Sequence, residues 1–282
     1  MSKPSRGVVA VGGLSLVARS TPASASSADS SALRSAIGAW LAGVDAAICA
    51  VTSQPLPADI SRDIANAGID LSRVQLRAED GGDMDPTVDQ LASLSPNWSV
   101  HVCTMPVARQ REIVRAAARR GALVTLDAPL LNGTVRPDTS EILELAAEAD
   151  AFVPGRTEVE RLWPGQPPRE VLRMFGRRGV RAAVIKLGVS GSIGIRDATI
   201  SWMPAFPITP SGITGGGDVY AGAFAAIFSI DRNLPRAMAW ATAAASLVLE
   251  SAIILDQTTD FARRTVQYRA RMLEADTRRD RS

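Results

Sequence analysis

The 282-residue sequence lacks what several whole classes of function would need. It has two cysteines, Cys49 in AAICAV and Cys103 in VHVCT, and a single histidine, His101. Two thiols and one imidazole are too few for a disulfide framework or a four-ligand zinc site. Both cysteines sit in apolar, strand-like runs and read as buried, reduced core thiols. His101, between Val100 and Val102, reads as a strand residue rather than a catalytic one. An excess of one charge is missing too, because 31 basic and 29 acidic residues leave a net charge of +2. That balance gives no reason to expect nucleic acid or an anionic membrane as a partner. No run reaches the roughly 18 uninterrupted apolar residues of a membrane span. The opening MSKPSRGVVAVGGLSLVARS is superficially like a secretion signal. Gly12 and Gly13 break its short apolar run, however, and it reads better as a first buried strand. A cytoplasmic protein is therefore expected, folded as a single domain over residues 1–282.

What is present is a hydrophobic content of 46%, enough for a packed core. Short apolar runs alternate with longer helical patterns, the layout of an α/β fold with three α/β/α layers around a mainly parallel sheet. Strands are expected at 8–11, 46–51, 99–104, 122–127, 151–153 and 182–187. Helices are expected at 32–42, 58–67, 108–120, 140–149 and 169–178. Residues 222–250 are alanine-rich and unpunctuated and read as two helices, the second opening near Leu234-Pro235, where proline suits a first turn. The Ser/Ala tract 20–31 reads as a flexible loop. The acidic stretch 79–86, EDGGDMDP, lacks the spacing of a calcium loop and reads as a solvated turn. Seven arginines after Asp260 suggest a solvated terminal helix that frays into a flexible basic tail over 274–282.

The chemically informative stretch is ITPSGITGGGDVYAGAFAAIF, residues 208–228. Three glycines, Gly215, Gly216 and Gly217, precede Asp218 and then a helix of small residues. Such a run permits positive φ and exposes backbone amides, so it can wrap an anion. A helix opening there adds its N-terminal amides and dipole. Asp218 would then lie beside a bound phosphate, where a base for an attacking hydroxyl fits better than a phosphate ligand. A side chain at Gly216 is expected to occupy the cradle. Read by themselves, these residues fit equally well a tight turn with Asp218 as a helix N-cap.

ITGGGDVYAGAF resembles the C-terminal signature of ribokinase-like (PfkB) carbohydrate and nucleoside kinases, DTTGAGDAFxGAF. The resemblance implies that Gly215, Gly216 and Gly217 form the anion hole and that Asp218 is the catalytic base. Gly212 and Ile213 replace the leading aspartate and threonine that help hold a monovalent cation, which removes the basis for expecting cation activation. AAVIKLGVSGSIGI resembles the VVVTLGxxGxxx segment that lines the nucleotide site and matches Lys186, Gly188 and Gly191 to it. ADAFVPGRTEVERLWPG resembles ADIxKPNxxEAxxLxG. Glu158 there matches the glutamate that organises magnesium through water, with Gly155 where asparagine is usual. GALVTLDAP, with Asp127, resembles GVPVVLDPN. The likeness covers about residues 44–245 and implies ATP and Mg2+ as cosubstrate and cofactor.

The N-terminal part departs from the family pattern. Val17 stands where an acceptor-gripping aspartate is usual, and the Ser/Ala tract replaces a Gly-Gly-x-x-x-Asn block. Residues 79–98 leave room for no more than a reduced lid. Family members often pair through their lids, so a homodimer stays open but less supported. These losses argue against a small free sugar. The expected activity is therefore ATP-dependent phosphorylation of a hydroxyl on a sugar-like, nucleoside or specialised-metabolite acceptor. The alternatives are a catalytically weakened nucleotide-binding relative with a regulatory role, and an unrelated α/β protein with an incidental glycine turn.

Overall fold

The computed structural model of the protein describes residues 7–17, 27–77, 84–92, 94–95, 97–131, 138–211, 215–251 and 258–279. The structure has a nine-stranded sheet at its centre. Along it lie β11 (Thr199–Met203), β10 (Ser192–Arg196), β9 (Ala182–Lys186), β8 (Ala151–Phe152), β7 (Val124–Leu126), β6 (Trp98–Val102), β1 (Gly7–Val11), β4 (Asp45–Thr52) and β5 (Asp70–Leu76), in that spatial order. The strands from β9 to β5 are parallel, and β10 and β11 close one edge as an antiparallel hairpin. The mainly parallel α/β architecture expected from the sequence is thus present.

Side chains alternate across a pleated strand, so each inner strand feeds two cores. Val8 and Ala10 of β1 join Ile48 of β4 on one face. That face is covered by α1 (Ser31–Leu41), α7 (Gly216–Asp231), α8 (Leu234–Leu249) and α9 (Asp260–Arg279). Val9 and Val11 join Val100 and Val102 of β6 on the other. There α3 (Val107–Arg119), α4 (Thr139–Glu148), α5 (Arg156–Leu162) and α6 (Pro168–Arg177) supply the cover. Burial on both faces explains why these strands read as continuous apolar runs rather than alternating ones. The remaining helix, α2 (Ala58–Asn66), docks Ile60 and Ile64 into the first core.

The contact between α1 and α7 positions the site. A Cβ built on Gly38 would fall on the Val219 carbonyl, and one on Gly222 would fall on the Ser35 carbonyl. The two helices therefore meet backbone to backbone. In the middle of α1, glycine costs about 1 kcal/mol of helix propensity relative to alanine, which this close packing offsets. The partner helix α7 is buried along most of its length, as its all-round apolar character requires.

Two regions, the tract 20–31 and the tail 274–282, differ from the sequence expectations, and the stretch expected to hold at most a reduced lid agrees with them. Within tract 20–31, Ser27–Asp29 forms β3, which pairs antiparallel with β2 (Ser15–Val17) in a small second sheet. Ser30 is the N-cap of α1, its hydroxyl accepting from the Leu33 amide at 3.1 Å. Residues 20–26 lie outside the described residues. In the region expected to hold a reduced lid, residues 79–83, 93 and 96 also lie outside them. The rest forms a short 3-10 helix, Val88–Leu91, tied to the main sheet by Gln90 Nε2, which donates to the Ala50 and Arg73 carbonyls. The small second sheet thus comes from before α1. The expected tail over 274–282 is helical through Arg279, because α9 buries a face of Ala262, Val266, Ala270 and Leu273. Arg263 stacks 4.0 Å over Trp40, which further anchors this helix. Among the described residues no helix is long and apolar enough to cross a membrane.

Candidate active site

Strand order reverses at β1, with β4 and β5 on one side of it and β6 to β9 on the other. In open parallel sheets the crevice at such a reversal, beyond the carboxyl ends of the strands, is where ligands bind. The candidate residues gather at that end. Gly215 is the N-cap of α7 in the left-handed region, with φ +99°, and it makes no side-chain capping bond. Its carbonyl accepts from the amides of Asp218 at 3.1 Å and Val219 at 3.2 Å. Gly216 and Gly217 open the helix, where backbone amides have no partner within the helix itself. Asp218 is therefore a first-turn residue and not the N-cap.

The Asp218 carboxylate is the least comfortable charge in this group. Burial first, and then the neighbouring Asp127 carboxylate, hold its pKa above the usual carboxylate range. Lys186 and Arg34 oppose that rise without cancelling it. Arg34 Nη1 lies 3.4 Å from Asp218 Oδ2, and the Ser35 hydroxyl donates to the Asp218 carbonyl at 3.1 Å. Both partners come from α1. A carboxylate with a raised pKa at a helix N-terminus is suited to take a proton.

Lys186 ends β9 and reaches across to α7. Its Nζ donates to both Asp127 oxygens, at 2.9 and 3.1 Å, and to the Gly217 carbonyl at 3.4 Å. Burial would lower its pKa, but the charges of Asp127 and Asp218 outweigh that, so it is held protonated. Asp127 follows β7 directly and also accepts from the Ala128 amide at 2.9 Å. Gly155 bridges laterally to Lys186 at the end of β8. A side chain at 155 would collide with the Glu158 carboxylate, which folds back from the first turn of α5. The negative charge of Glu158 is felt at Lys186 and helps to keep it protonated.

Two cavities open at this end of the sheet. One, of about 580 Å³, is lined by Lys186, Gly188 and Gly191 together with Gly216 and Gly217, and by the apolar residues Phe206 and Leu249. The structure thus brings together most of the glycine and lysine positions singled out in the sequence. Gly191 has a second reason to be glycine. At φ +82° its Cβ would overlap the Met203 carbonyl, so its close approach is to its own chain. Gly216 likewise corrects its expectation, since a Cβ there would meet the Leu249 side chain at 3.0 Å, in the cavity wall rather than in the cradle. At Gly217 the added atom would meet only Lys186 Nζ, at 3.9 Å. Arg269, from α9, stacks 4.7 Å from Phe206 and donates to Ser246 at 2.9 Å, bracing that wall from behind.

The second cavity, of about 550 Å³, opens on the loops after β1 and β6 and on the N-terminus of α1. Its lining is mixed and nearly uncharged, with Ser30, Ser31, Thr52, Gln54 and Thr104 beside apolar Leu14, Val51 and Met105, and the single carboxylate of Asp85. Ser31 packs against Gly12 and Cys103, whose thiol points at the Ser35 hydroxyl from 3.7 Å. The wall of this cavity therefore runs through α1 to Asp218. Sequence reasoning missed Arg34 and Ser35 altogether and saw Asp127 only as a strand end. No local pattern marks them, because their partners are remote in the chain.

Among the described residues no group of three or more His, Cys, Asp or Glu side chains could hold a metal ion. Magnesium, however, binds beside phosphates through one or two carboxylates and water, and Glu158, close enough for its charge to be felt at Lys186, is a carboxylate of the kind required.

Comparison with known proteins places these features in a family. The profile of the pfkB family of carbohydrate kinases matches residues 90–253, more than half of the chain. Over 141 residues the chain is 26% identical to the cytidine kinase of Thermococcus kodakarensis, a stretch covering 48% of this chain and 49% of that protein. The match thus spans about half the length of this curated relative. Among solved structures, the ribokinase of Arabidopsis thaliana, complexed with ribose and ATP, superposes with a TM-score of 0.75 at 17% identity. That superposition covers 95% of this chain and 99% of the ribokinase. The aminoimidazole riboside kinase of Salmonella enterica, complexed with aminoimidazole riboside and an ATP analogue, gives 0.72 at 15% identity over 94% and 100% of the two chains.

Proposed function

This chain belongs to the pfkB family of carbohydrate kinases, and from that premise we propose that it transfers the terminal phosphoryl group of ATP to a hydroxyl of a sugar-like or nucleoside acceptor. The observation that carries the proposal is the place of Asp218. A carboxylate with a raised pKa stands in the first turn of α7, directly after Gly216 and Gly217, which line one cavity. It is contacted by Arg34 and Ser35 of α1, the helix whose N-terminus borders the other.

In the proposed step the acceptor oxygen bonds to phosphorus as the bond to the ADP oxygen breaks. Asp218 takes the hydroxyl proton, since an alcohol is a poor nucleophile until its proton has a destination. The amides that open α7 meet the charge on the phosphoryl oxygens, aided by the helix dipole. Lys186 holds its ammonium at the edge of the same cradle, and Gly188 and the apolar wall with Phe206 accommodate the nucleotide. Glu158 would hold Mg2+ through water, and the ion would there neutralise phosphate charge. The nearly uncharged, half-apolar lining of the other cavity, with its serine, threonine and glutamine side chains, suits uncharged acceptors of sugar or nucleoside size that carry hydroxyls. An ATP-consuming enzyme whose two thiols are free and buried belongs in the cytoplasm.

The test is ADP release with Mg·ATP across a panel of nucleosides, sugars and sugar conjugates. At least one acceptor should raise ADP release far above the acceptor-free rate, with phosphate recovered on that acceptor. Release that never depends on an acceptor, in a protein that binds an ATP analogue, would sink the kinase reading and favour the catalytically weakened relative.

A further inference from the structure

The cavity on the loops after β1 and β6 has one charged group in its lining, the Asp85 carboxylate. How that carboxylate is held follows from the residues after it. Pro86 is buried, and a proline restricts the residue before it to extended backbone. Thr87 and Gln90 then form a capping box, in which the Thr87 amide donates to Gln90 Oε1 at 2.9 Å. Gln90 Nε2 donates to the Ala50 and Arg73 carbonyls at 3.1 and 3.0 Å, which pins the segment to β4 and β5. Asp85 is thus delivered to the cavity wall by an anchored stretch of chain, and it already has an interaction within the protein. The two oxygens of a carboxylate offer about four acceptor sites, so that interaction leaves capacity for a ligand.

We propose that Asp85 is the specificity-determining residue for the acceptor, accepting from the vicinal hydroxyls of a ribonucleoside whose base lies against the apolar residues of the same cavity. This rests on the kinase reading given above. Leu14, Val51, Met84 and Met105 supply the apolar surface, and methionine sulfur makes favourable contacts with aromatic rings. Two of the hydroxyls in the lining are engaged by backbone. Thr52 donates to the Gln54 carbonyl at 2.8 Å, and Ser30 accepts from the Leu33 amide as the cap of α1. A carboxylate meets two neighbouring hydroxyls at once, one on each oxygen, and its charge roughly doubles the strength of each bond. A free pentose in this cavity of about 550 Å³ would leave the apolar residues facing water, whereas a base covers them. An aminated sugar would also be drawn to the carboxylate, but it too lacks the apolar face that this lining calls for.

Holding the diol decides which hydroxyl reacts. A ribonucleoside carries hydroxyls at the 2′, 3′ and 5′ positions, and with the first two on Asp85 the 5′ oxygen is left to attack. It forms the bond to phosphorus, the electron pair of the broken bond leaves with ADP, and the proton goes to Asp218. The product is a nucleoside 5′-monophosphate.

The test uses the full chain with Mg·ATP. The acceptors are the common ribonucleosides, their 2′-deoxy and 3′-deoxy forms, ribose and glucosamine. At least one ribonucleoside should show a kcat/KM above those of ribose and glucosamine, with the phosphate on its 5′ oxygen. Each of its deoxy forms should lose on the order of 10–100-fold in kcat/KM, mostly through KM, as expected for one hydrogen bond to a charged group. Asp85→Asn should lower kcat/KM for the ribonucleoside by a similar factor. The loss should be smaller for the deoxy forms, where one of the two bonds is already missing. Calorimetry should show unchanged affinity for the β,γ-imido analogue of ATP in that variant. Deoxy forms used as well as the ribonucleoside would overturn the proposal and leave the kinase reading in place. So would ribose or glucosamine as the better acceptor, or an Asp85→Asn variant with undiminished kcat/KM. The deoxy comparison needs only the parent, so it decides the matter even where the variant fails to fold. A parent that binds ribonucleosides by calorimetry only when the diol is intact, yet phosphorylates nothing, would refute the kinase reading and uphold the diol site. A parent that binds no ribonucleoside refutes the proposal.

Discussion

Replacing Asp218 by asparagine separates a proton acceptor from a carboxylate that merely complements a helix. Asp218 lies in the first turn of α7, where a negative charge near the helix N-terminus contributes about 0.3–1 kcal/mol. Burial and the Asp127 charge act the other way, since they raise its pKa and make the ionised form unfavourable in the fold. Asparagine loses the first effect and relieves the second. We therefore expect the unfolding free energy to change by less than about 1 kcal/mol, with a rise as acceptable as a fall. Loss of a general base costs on the order of 10²–10⁴ in rate. At about 1.36 kcal/mol per tenfold, that is roughly 2.7–5.4 kcal/mol of transition-state stabilisation. The catalytic loss should thus exceed the stability change several-fold. Acceptor-dependent ADP release, urea unfolding and calorimetry with the imido analogue measure the three quantities on one preparation. Turnover close to that of the parent would refute the base assignment. Turnover lost in step with stability or with analogue binding would show that asparagine had disturbed the site instead.

Other substitutions probe how the site is held. Gly217→Val should fold and lose analogue binding and turnover, because the added side chain meets only Lys186 Nζ, at 3.9 Å, and enters the cradle. Unchanged analogue affinity by calorimetry would remove these amides from phosphate binding. Gly222→Ala should cost about 1–3 kcal/mol in urea unfolding, since its Cβ must displace the Ser35 carbonyl. Because α1 carries Arg34 and Ser35, kcat should fall as well, and a stable variant with native kcat would refute the backbone-to-backbone contact. His101 is fully buried, and burial followed by the Lys186 charge pushes its pKa down to about 3. In the unfolded chain it titrates near 6.5, so its contribution to stability is complete above that pH and is lost as pH falls from about 6.5 toward 3, at up to about 1.4 kcal/mol per pH unit. Urea midpoints at pH 7 and pH 5 should show a smaller drop for His101→Gln than for the parent, and equal drops would refute the assignment.

The parts of the fold legible in the sequence are those whose burial is symmetrical. Strands β1, β4, β6 and β9 are buried on both faces and appear as plain apolar runs, and the start of α8 shows in Asn233 as its cap with proline in the first turn. Strand β5, DLSRVQL, is half-exposed at the sheet edge and carries no alternation to read. Strands β2 and β3 are three residues each, too short for any period. The buried face of α9 was hidden by its arginines, two of which lie over Trp40 and Phe206 rather than in solvent. At the site, the glycine run and Asp218 announce themselves because a short backbone motif holds them together. The Arg34 contact with Asp218 spans 184 residues, and that of Lys186 with Asp127 spans 59. Neither leaves a trace in local spacing, since each depends on which helix or strand the fold sets beside another.

The pairing of these charges also explains how a cradle for a polyphosphate can stand beside several acids. Asp127, Glu158 and Asp218 face the cations Lys186 and Arg34, so the carboxylates outnumber the positive groups bordering the cradle. A buried cation left unpaired while the site waits for its ligand would carry a desolvation penalty of several kcal/mol. Each of the two instead has a carboxylate partner, Asp127 for Lys186 and Asp218 for Arg34. An arriving phosphate then exchanges one anionic partner for another and does not have to desolvate a free cation.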